Sequence, residues 1–500
     1  MEADGRVCER LAARGSTLAA WLARHADVVL LWLVAWASGM LMGFGAQVYW
    51  DSAGYVQQAI TGQVGGLALG RPVFVWVSHG LVVASHALGV SLWHAERLLQ
   101  VFWMCVSACS APLTLLLARE CGANQRAALL AGLAVAASPA LAHVAGAVLT
   151  DGPALAATCW GLLLALRALN PARAVVRPGL RGLAAGLVLG LAVGMREQSL
   201  AQGLVCALAL LGAPAGRRVR FAFGCLAGLV LAAGLPVLWA VVSQPEYVDT
   251  VRDWIQAMQS ERDQRPYTIW DFRVFLIWLV TLGPLTTLAG LTAWWGQRAR
   301  LWRIRSLAFA LCVPALLQLG MLAFYQDISY SPRYLLPALP GALAIPAGLA
   351  LDDWLRGRHL YRLGLVVVLA PVLLAAPLVA DEQRDLEQSL RGLPSLLQKV
   401  PRRTVLITGQ PCESVRLWSV IAAREPASWH GRRPAWHILC PGWAWPADLD
   451  AHLNGKLEAG YALILDARQG SWQDGDQRET MYEVEAWAGE HPQARVRIWR

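Results

Sequence analysis

The chain has 500 residues, 56% of them hydrophobic and only 15% charged, whereas soluble domains carry about 25% charged residues. This excludes an ordinary soluble enzyme. The net charge of +9 is no nucleic-acid signal either, because residues 381–500 are close to neutral and the basic excess sits in short loops between apolar runs, as the positive-inside bias predicts.

In chain order, Met1–His25 is polar and Arg-containing and lacks a signal-peptide pattern, so Ala26–Ala46 reads as an uncleaved anchor with a cytoplasmic N-terminus. Gln47–Gln63 (QVYWDSAGYVQQAITGQ) follows. Here Asp51 is either a helix cap or a catalytic carboxylate at the membrane surface. Arg71, in LGRPVF, suits a lipid-linked phosphate because its planar fork makes bidentate, charge-assisted contacts; snorkelling to lipid headgroups explains it equally. The apolar runs Leu98–Leu117 and Ala127–Leu149 are each close to the ~20 residues a spanning helix needs. Thr150-Asp151-Gly-Pro153 opens another such helix, with Asp151 or Thr150 as a cap or Asp151 as a second external carboxylate. Gly194–Leu200 (GMREQSL) interrupts two apolar runs with Arg196 and Glu197, charges that are costly in lipid and therefore functional candidates unless they simply pair with each other.

Phe221–Val242, Phe275–Trp294, Leu307–Phe324, Leu335–Ala350 and Leu363–Ala380 complete the spanning series. Between the first two, Val251, Trp254, Ile255 and Met258 have the spacing of an amphipathic helix resting on the membrane. Tyr330–Gly341 (YSPRYLLPALPG) brings Arg333 and Tyr334 to the outer end of the penultimate helix. The Arg-rich loops at 171–181, 216–220, 297–305 and 356–362 read as cytoplasmic. They fix a parity in which Val73–Val90 does not cross but lies in the interface. The expected fold is thus a polytopic α-helical membrane protein with about eleven transmembrane helices and interfacial helices in the first external loop. A small C-terminal α/β domain is expected to follow after residue 380. Its expected pattern is Thr404–Thr408, Trp436–Leu439, Ala462–Leu465 and Val496–Trp499 as strands, with helical runs at Ser414–Arg424 and Ala447–Glu458. If that domain is extracytoplasmic, Cys412 and Cys440 could form a disulfide. No His/Cys cluster or Asp-x-Asp element suggests a metal.

The ordered set Asp51-Ser-Ala-Gly-Tyr55, Arg71-Pro72, Thr150-Asp151-Gly-Pro153, Arg196-Glu197 and Arg333–Pro340 resembles the GT-C superfamily of membrane glycosyltransferases. The similarity is closest to the bacterial protein O-mannosyltransferase and lipid A aminoarabinose transferase-like members and covers roughly residues 26–350. Arg71-Pro72 matches only partly, since Val73 stands where the family has a second proline. The resemblance implies transfer of a sugar from a polyprenyl-phosphate donor to a lipid, glycan or protein hydroxyl at the outer face of a bacterial inner membrane, without a metal cofactor. It implies Asp51 as base, Asp151 beside it, and Arg71, Arg196 and Arg333 on the donor phosphate, with Tyr55, Glu197 and Tyr334 positioning substrate. The alternative is a transporter or flippase of a lipid-linked sugar.

Overall fold

The structure, a computed structural model, describes residues 25–45, 50–64, 71–170, 175–211, 213–253, 256, 279–296, 332–399, 403–409, 412–424, 435–440, 446, 448–466, 475–492 and 496–499. Up to residue 399 the described elements are helices: α1 (Ala26–Met42), α2 (Trp50–Thr61), α3 (Pro72–Ala87), α4 (Ala95–Ala108), α5 (Ser110–Glu120), α6 (Gln125–Ala136), α7 (Pro139–Gly146) and α8 (Asp151–Leu169). They continue as α9 (Pro178–Met195), α10 (Gly203–Leu211), α11 (Ala215–Leu229), α12 (Leu235–Ser243), α13 (Pro284–Gly296), α14 (Ile345–Trp354) and α15 (Arg358–Lys399).

Six described stretches are long and apolar enough to cross a bilayer: Leu92–Glu120, Asp151–Leu169, Pro178–Met195, Ala215–Ser243, Leu335–Trp354 and His359–Asp381. A seventh arises if α6 and α7, bent by 53° at their junction, count as one span. The apolar run Ala127–Leu149 is thus divided between two helices. Pro139 has no N–H to donate back into α6, so it starts a new helix rather than continuing the old one. The run Leu307–Phe324 and the positions Trp254, Ile255 and Met258 of the expected amphipathic helix lie outside the residues whose side chains are described.

Helix α3 does not run away from α2. The two lie side by side and run in the same direction: Tyr55 packs edge-on against Phe74 at 5.1 Å between ring centroids, and His79 Nδ1 sits 2.7 Å from the Ala59 carbonyl oxygen. The first half of α3 therefore stays beside α2.

Helix α9 packs on α11 through glycines spaced four apart, Gly182, Gly186 and Gly190, opposite Gly224 and Gly228. A Cβ added at Gly182 or Gly186 would strike the carbonyl oxygens of Phe221 and Cys225. Lipid offers no hydrophobic drive to join two apolar helices, so close backbone approach through small residues supplies the packing instead.

The chain after α15 forms a parallel sheet in the order β2-β1-β3-β4, from β1 (Arg403–Thr408), β2 (Ala435–Leu439), β3 (Ala462–Asp466) and β4 (Arg497–Trp499), with helices α16 (Cys412–Arg424), α17 (Leu449–Glu458) and α18 (Gly475–Glu490). Alternation along the strands sends Val405, Ile407, Leu463 and Leu465 toward Leu453, Val484 and Trp487 of α17 and α18, and Leu406 and Ile464 toward Val415 of α16. Both faces are covered, as parallel sheets require. Cys440, just past β2, is disulfide-bonded; the side chain of Cys412 lies outside those described. Helix α15 runs 42 residues without a break, to Lys399.

Helix α16 has a second face. Its Leu417 and Ile421 join the core of the membrane region and pack against α2, while Arg424 Nη1 donates to the Ile60 carbonyl at 3.0 Å. The C-terminal unit therefore packs directly against α2.

Candidate active site

Three arginines meet three carboxylates beneath the C-terminal unit. Asp51 stands in the first turn of α2 and Arg333 on a 3-10 turn, Pro332–Ala338, ahead of α14. Arg333 Nη2 lies 2.9 Å from Asp51 Oδ2. Asp51 Oδ1 is buried with no hydrogen-bond partner, and the residue is 5% exposed. The side chain is thus not capping its helix, which settles one half of the alternative raised by the sequence.

Asp151 opens α8 and is 4% exposed. Its Oδ2 accepts from Arg196 Nη1 at 2.8 Å, while its Oδ1 is buried without a partner. Arg196 follows the last residue of α9 in extended conformation. It also donates through Nη1 to Thr150 Oγ1 at 3.3 Å and through Nε to Gln198 Oε1 at 3.0 Å.

Glu197, the next residue, turns the other way. It accepts from Arg71 Nε and Nη2, each at 3.2 Å, as a bidentate pair. Arg71 Nη1 donates to the Tyr55 hydroxyl, whose ring is held by Phe74; Phe74 in turn stacks on Trp103 at 4.6 Å. Arg196 and Glu197 therefore do not neutralise each other, and each binds a partner from a distant part of the chain. Burial opposes the charged form of Glu197, but the Arg71 guanidinium outweighs it and holds the carboxyl at about 2. Burial would lower Arg71, yet Glu197 and Tyr55 raise it above the ordinary guanidinium value. Burial raises the Tyr55 phenol. Both Asp51 and Arg196 also act on Tyr55 electrostatically, so the pairs share one neighbourhood.

The structure thus brings together Asp51, Tyr55, Arg71, Asp151, Arg196, Glu197 and Arg333. The side chain of Tyr334 lies outside those described. Gln198 and the Tyr55–Phe74–Trp103 stack were not singled out from sequence; Gln198 sat in the quoted GMREQSL stretch, but nothing in its spacing marked it. Gln202 ties the two irregular turns together by donating to the Pro337 carbonyl at 3.1 Å. Among the described residues no group of three or more His, Cys, Asp or Glu side chains is placed to hold a metal ion.

Glu197 and Gln198 also line the mouth of an apolar groove of about 680 Å³ between α9, α10 and α11, walled by Leu189, Phe221, Cys225 and Leu226. Leu200, Leu211 and Leu226 on this side are exposed, as expected of a surface solvated by lipid tails rather than water.

Residues 93–211 match the family model described as dolichyl-phosphate-mannose-protein mannosyltransferase. No curated protein matches the chain by sequence. Among solved structures, ArnT from Cupriavidus metallidurans bound to undecaprenyl phosphate is similar at a TM-score of 0.51 and 17% identity, covering 96% of this chain and 90% of that one. Its apo form gives 0.52 and 16% over the same shares. The apo oligosaccharyltransferase of Archaeoglobus fulgidus gives 0.53 and 13%, covering 84% of this chain and 65% of that one. At such identities the likeness is one of fold, shared with ArnT and with the archaeal oligosaccharyltransferase.

Proposed function

We propose that this chain is a glycosyltransferase of the bacterial inner membrane, moving a sugar from a polyprenyl-phosphate donor to an acceptor hydroxyl at the extracytoplasmic face. One observation carries the reading. Glu197 pairs with Arg71 and also lines the mouth of the lipid-facing groove, so a phosphate whose tail lies in that groove arrives at Arg71. The ArnT structure similar in fold is bound to undecaprenyl phosphate, a ligand of this chemistry.

In this mechanism the donor phosphate takes the Arg71 fork from Glu197. Glu197 is the natural group to yield, since its side chain is 44% exposed while those of Asp51 and Asp151 are 8% and 2% exposed. Arg196 adds positive charge beside it, and the Tyr55 hydroxyl, accepting from Arg71, keeps its own proton to donate. The acceptor hydroxyl oxygen attacks the anomeric carbon and gives its proton to Asp51 Oδ1. The bond from that carbon to the phosphate oxygen breaks, and its electron pair goes to the phosphate. Arginine donors are strongest where this negative charge develops, so no metal is invoked. Arg333 holds the base rather than the phosphate, fixing one Asp51 oxygen and leaving the other to act. Single displacement inverts the anomeric centre. Residues 1–380 supply this chemistry, and residues 381–500 form an extracytoplasmic domain above it. The acceptor is a lipid, a glycan or a protein.

The test uses the full chain in nanodiscs with a panel of radiolabelled polyprenyl-phosphate sugars and extracted envelope acceptors. Wild type should transfer sugar, and Asp51→Asn should lose about 10²–10⁴-fold in rate while still binding donor. Equal transfer by both removes Asp51 as the base. Movement of the donor between leaflets without transfer would favour a transporter instead.

A further inference from the structure

A second cavity, of about 710 Å³, opens beside α2 and α3, where Arg424 of the C-terminal unit meets them. By helical rise, Ile60 on its wall lies about 13 Å along α2 from Asp51, so the cavity stands apart from the groove and the ion pairs described above. Among the described residues its polar side chains are His79, His86 and Arg424, and no carboxylate lines it. The remaining walls are apolar, from Ile60, Val82, Val83, Ala87 and Leu92.

The basic groups are held in place. His79 is fixed through Nδ1 to the Ala59 carbonyl and pinned from the other side by the turn at Gly62, whose φ of +75° brings backbone where a Cβ would press on the ring. His86 is anchored through Nδ1 to the Val90 carbonyl at 3.1 Å. Arg424 spends Nη1 on the Ile60 carbonyl and has no carboxylate partner among the described residues. A guanidinium at a cavity wall, without an acid to neutralise it and beside two imidazoles, favours an anion, and its fork fits a phosphate best.

The rim indicates what carries that phosphate. Val83 is 51% exposed and Leu88, just past α3, 85% exposed, an apolar edge beside the Arg424 guanidinium and the two imidazoles. An apolar rim beside a guanidinium matches an amphiphile entering head first.

We propose that this cavity binds a phosphate group, presented by the headgroup of an anionic lipid, which bridges the α3 helix and Arg424 of the C-terminal unit. The ligand joins two parts of the molecule that also meet through α16 and α2 and through Trp93. It does not depend on the sugar-transfer reading, since binding here involves none of the three ion pairs.

The full chain is reconstituted in nanodiscs of phosphatidylcholine with or without phosphatidylglycerol, and lipids retained after release are counted by native mass spectrometry. Wild type should keep phosphatidylglycerol. Arg424→Gln should keep about tenfold less, as expected on losing a charge-assisted contact. Val83→Trp fills the cavity, leaves every charge in place and should lose the lipid as well, so it decides the matter even if Arg424→Gln disturbs docking of the C-terminal unit. In detergent, stabilisation by inorganic phosphate that both variants abolish would support the site with a soluble phosphate as its source. Retention by both variants equal to wild type, with no phosphate effect, overturns the proposal.

Discussion

Arg71, Arg196 and Arg333 each face a different carboxylate, and the consequences of removing one partner differ with burial. Arg196 and Asp151 are both nearly inaccessible. Breaking that pair leaves a charge buried without compensation, a loss of about 3–5 kcal/mol. Asp151→Ala should therefore lower thermal stability more than the double change Asp151→Ala with Arg196→Met, a comparison that unfolding by fluorescence in detergent can make. The Arg71–Glu197 pair behaves otherwise because Glu197 is partly exposed. Its carboxyl sits at about 2, depressed from 4.5 by Arg71 against the opposing effect of burial. A depressed carboxyl stabilises the fold fully above its ordinary value, and the contribution fades as pH falls through the folded one. The stability difference between wild type and Glu197→Gln should be constant above pH 4.5 and vanish near pH 2. At neutral pH the same variant should bind the donor more tightly, by up to about tenfold, because the phosphate no longer competes with a carboxylate; donor titration monitored by tryptophan fluorescence reads this directly.

Helices in this chain are set by small residues as much as by hydrophobic runs. The α9–α11 contact depends on Gly182 and Gly186 lying against the backbone of α11. Gly186→Leu has no space to enter, and two packed helices cannot shift apart without losing contact along their length. It should shorten the half-life of the folded protein in detergent severalfold, as followed by size-exclusion chromatography, whereas Gly216→Leu, with open space around it, should not. The glycine spacing is visible in the sequence, yet the sequence gives no indication of which helix it faces. Pro139 was equally visible; its effect, a 53° break in a would-be span, follows from a missing donor rather than from hydropathy.

Over the whole molecule, the contact of α16 with α2 joins residues more than 350 positions apart and supports the helix that carries Asp51. Ile421 is 2% exposed in that contact. Ile421→Asp would bury an unpaired charge there, so amide exchange of α2 should quicken by about tenfold or more while exchange of the β1 and β3 strands stays unchanged. Equal exchange of α2 in both proteins would mean that the C-terminal unit does not steady the site.

Local chemistry was enough to mark the chain as a membrane protein. Apolar length, loop arginines and the cost of charge in lipid marked candidate spans and singled out Asp51, Arg71, Asp151, Arg196, Glu197 and Arg333, since each of these properties belongs to a residue and its near neighbours. Which arginine holds which carboxylate was decided only by the fold. Arg196 is extended and Glu197 opens the 3-10 turn that follows it, so their side chains diverge, one to α8 and the other to the Arg71 that begins α3. Pairing across the chain depends on where helices pack, and packing depends on surfaces that meet only after the chain has folded.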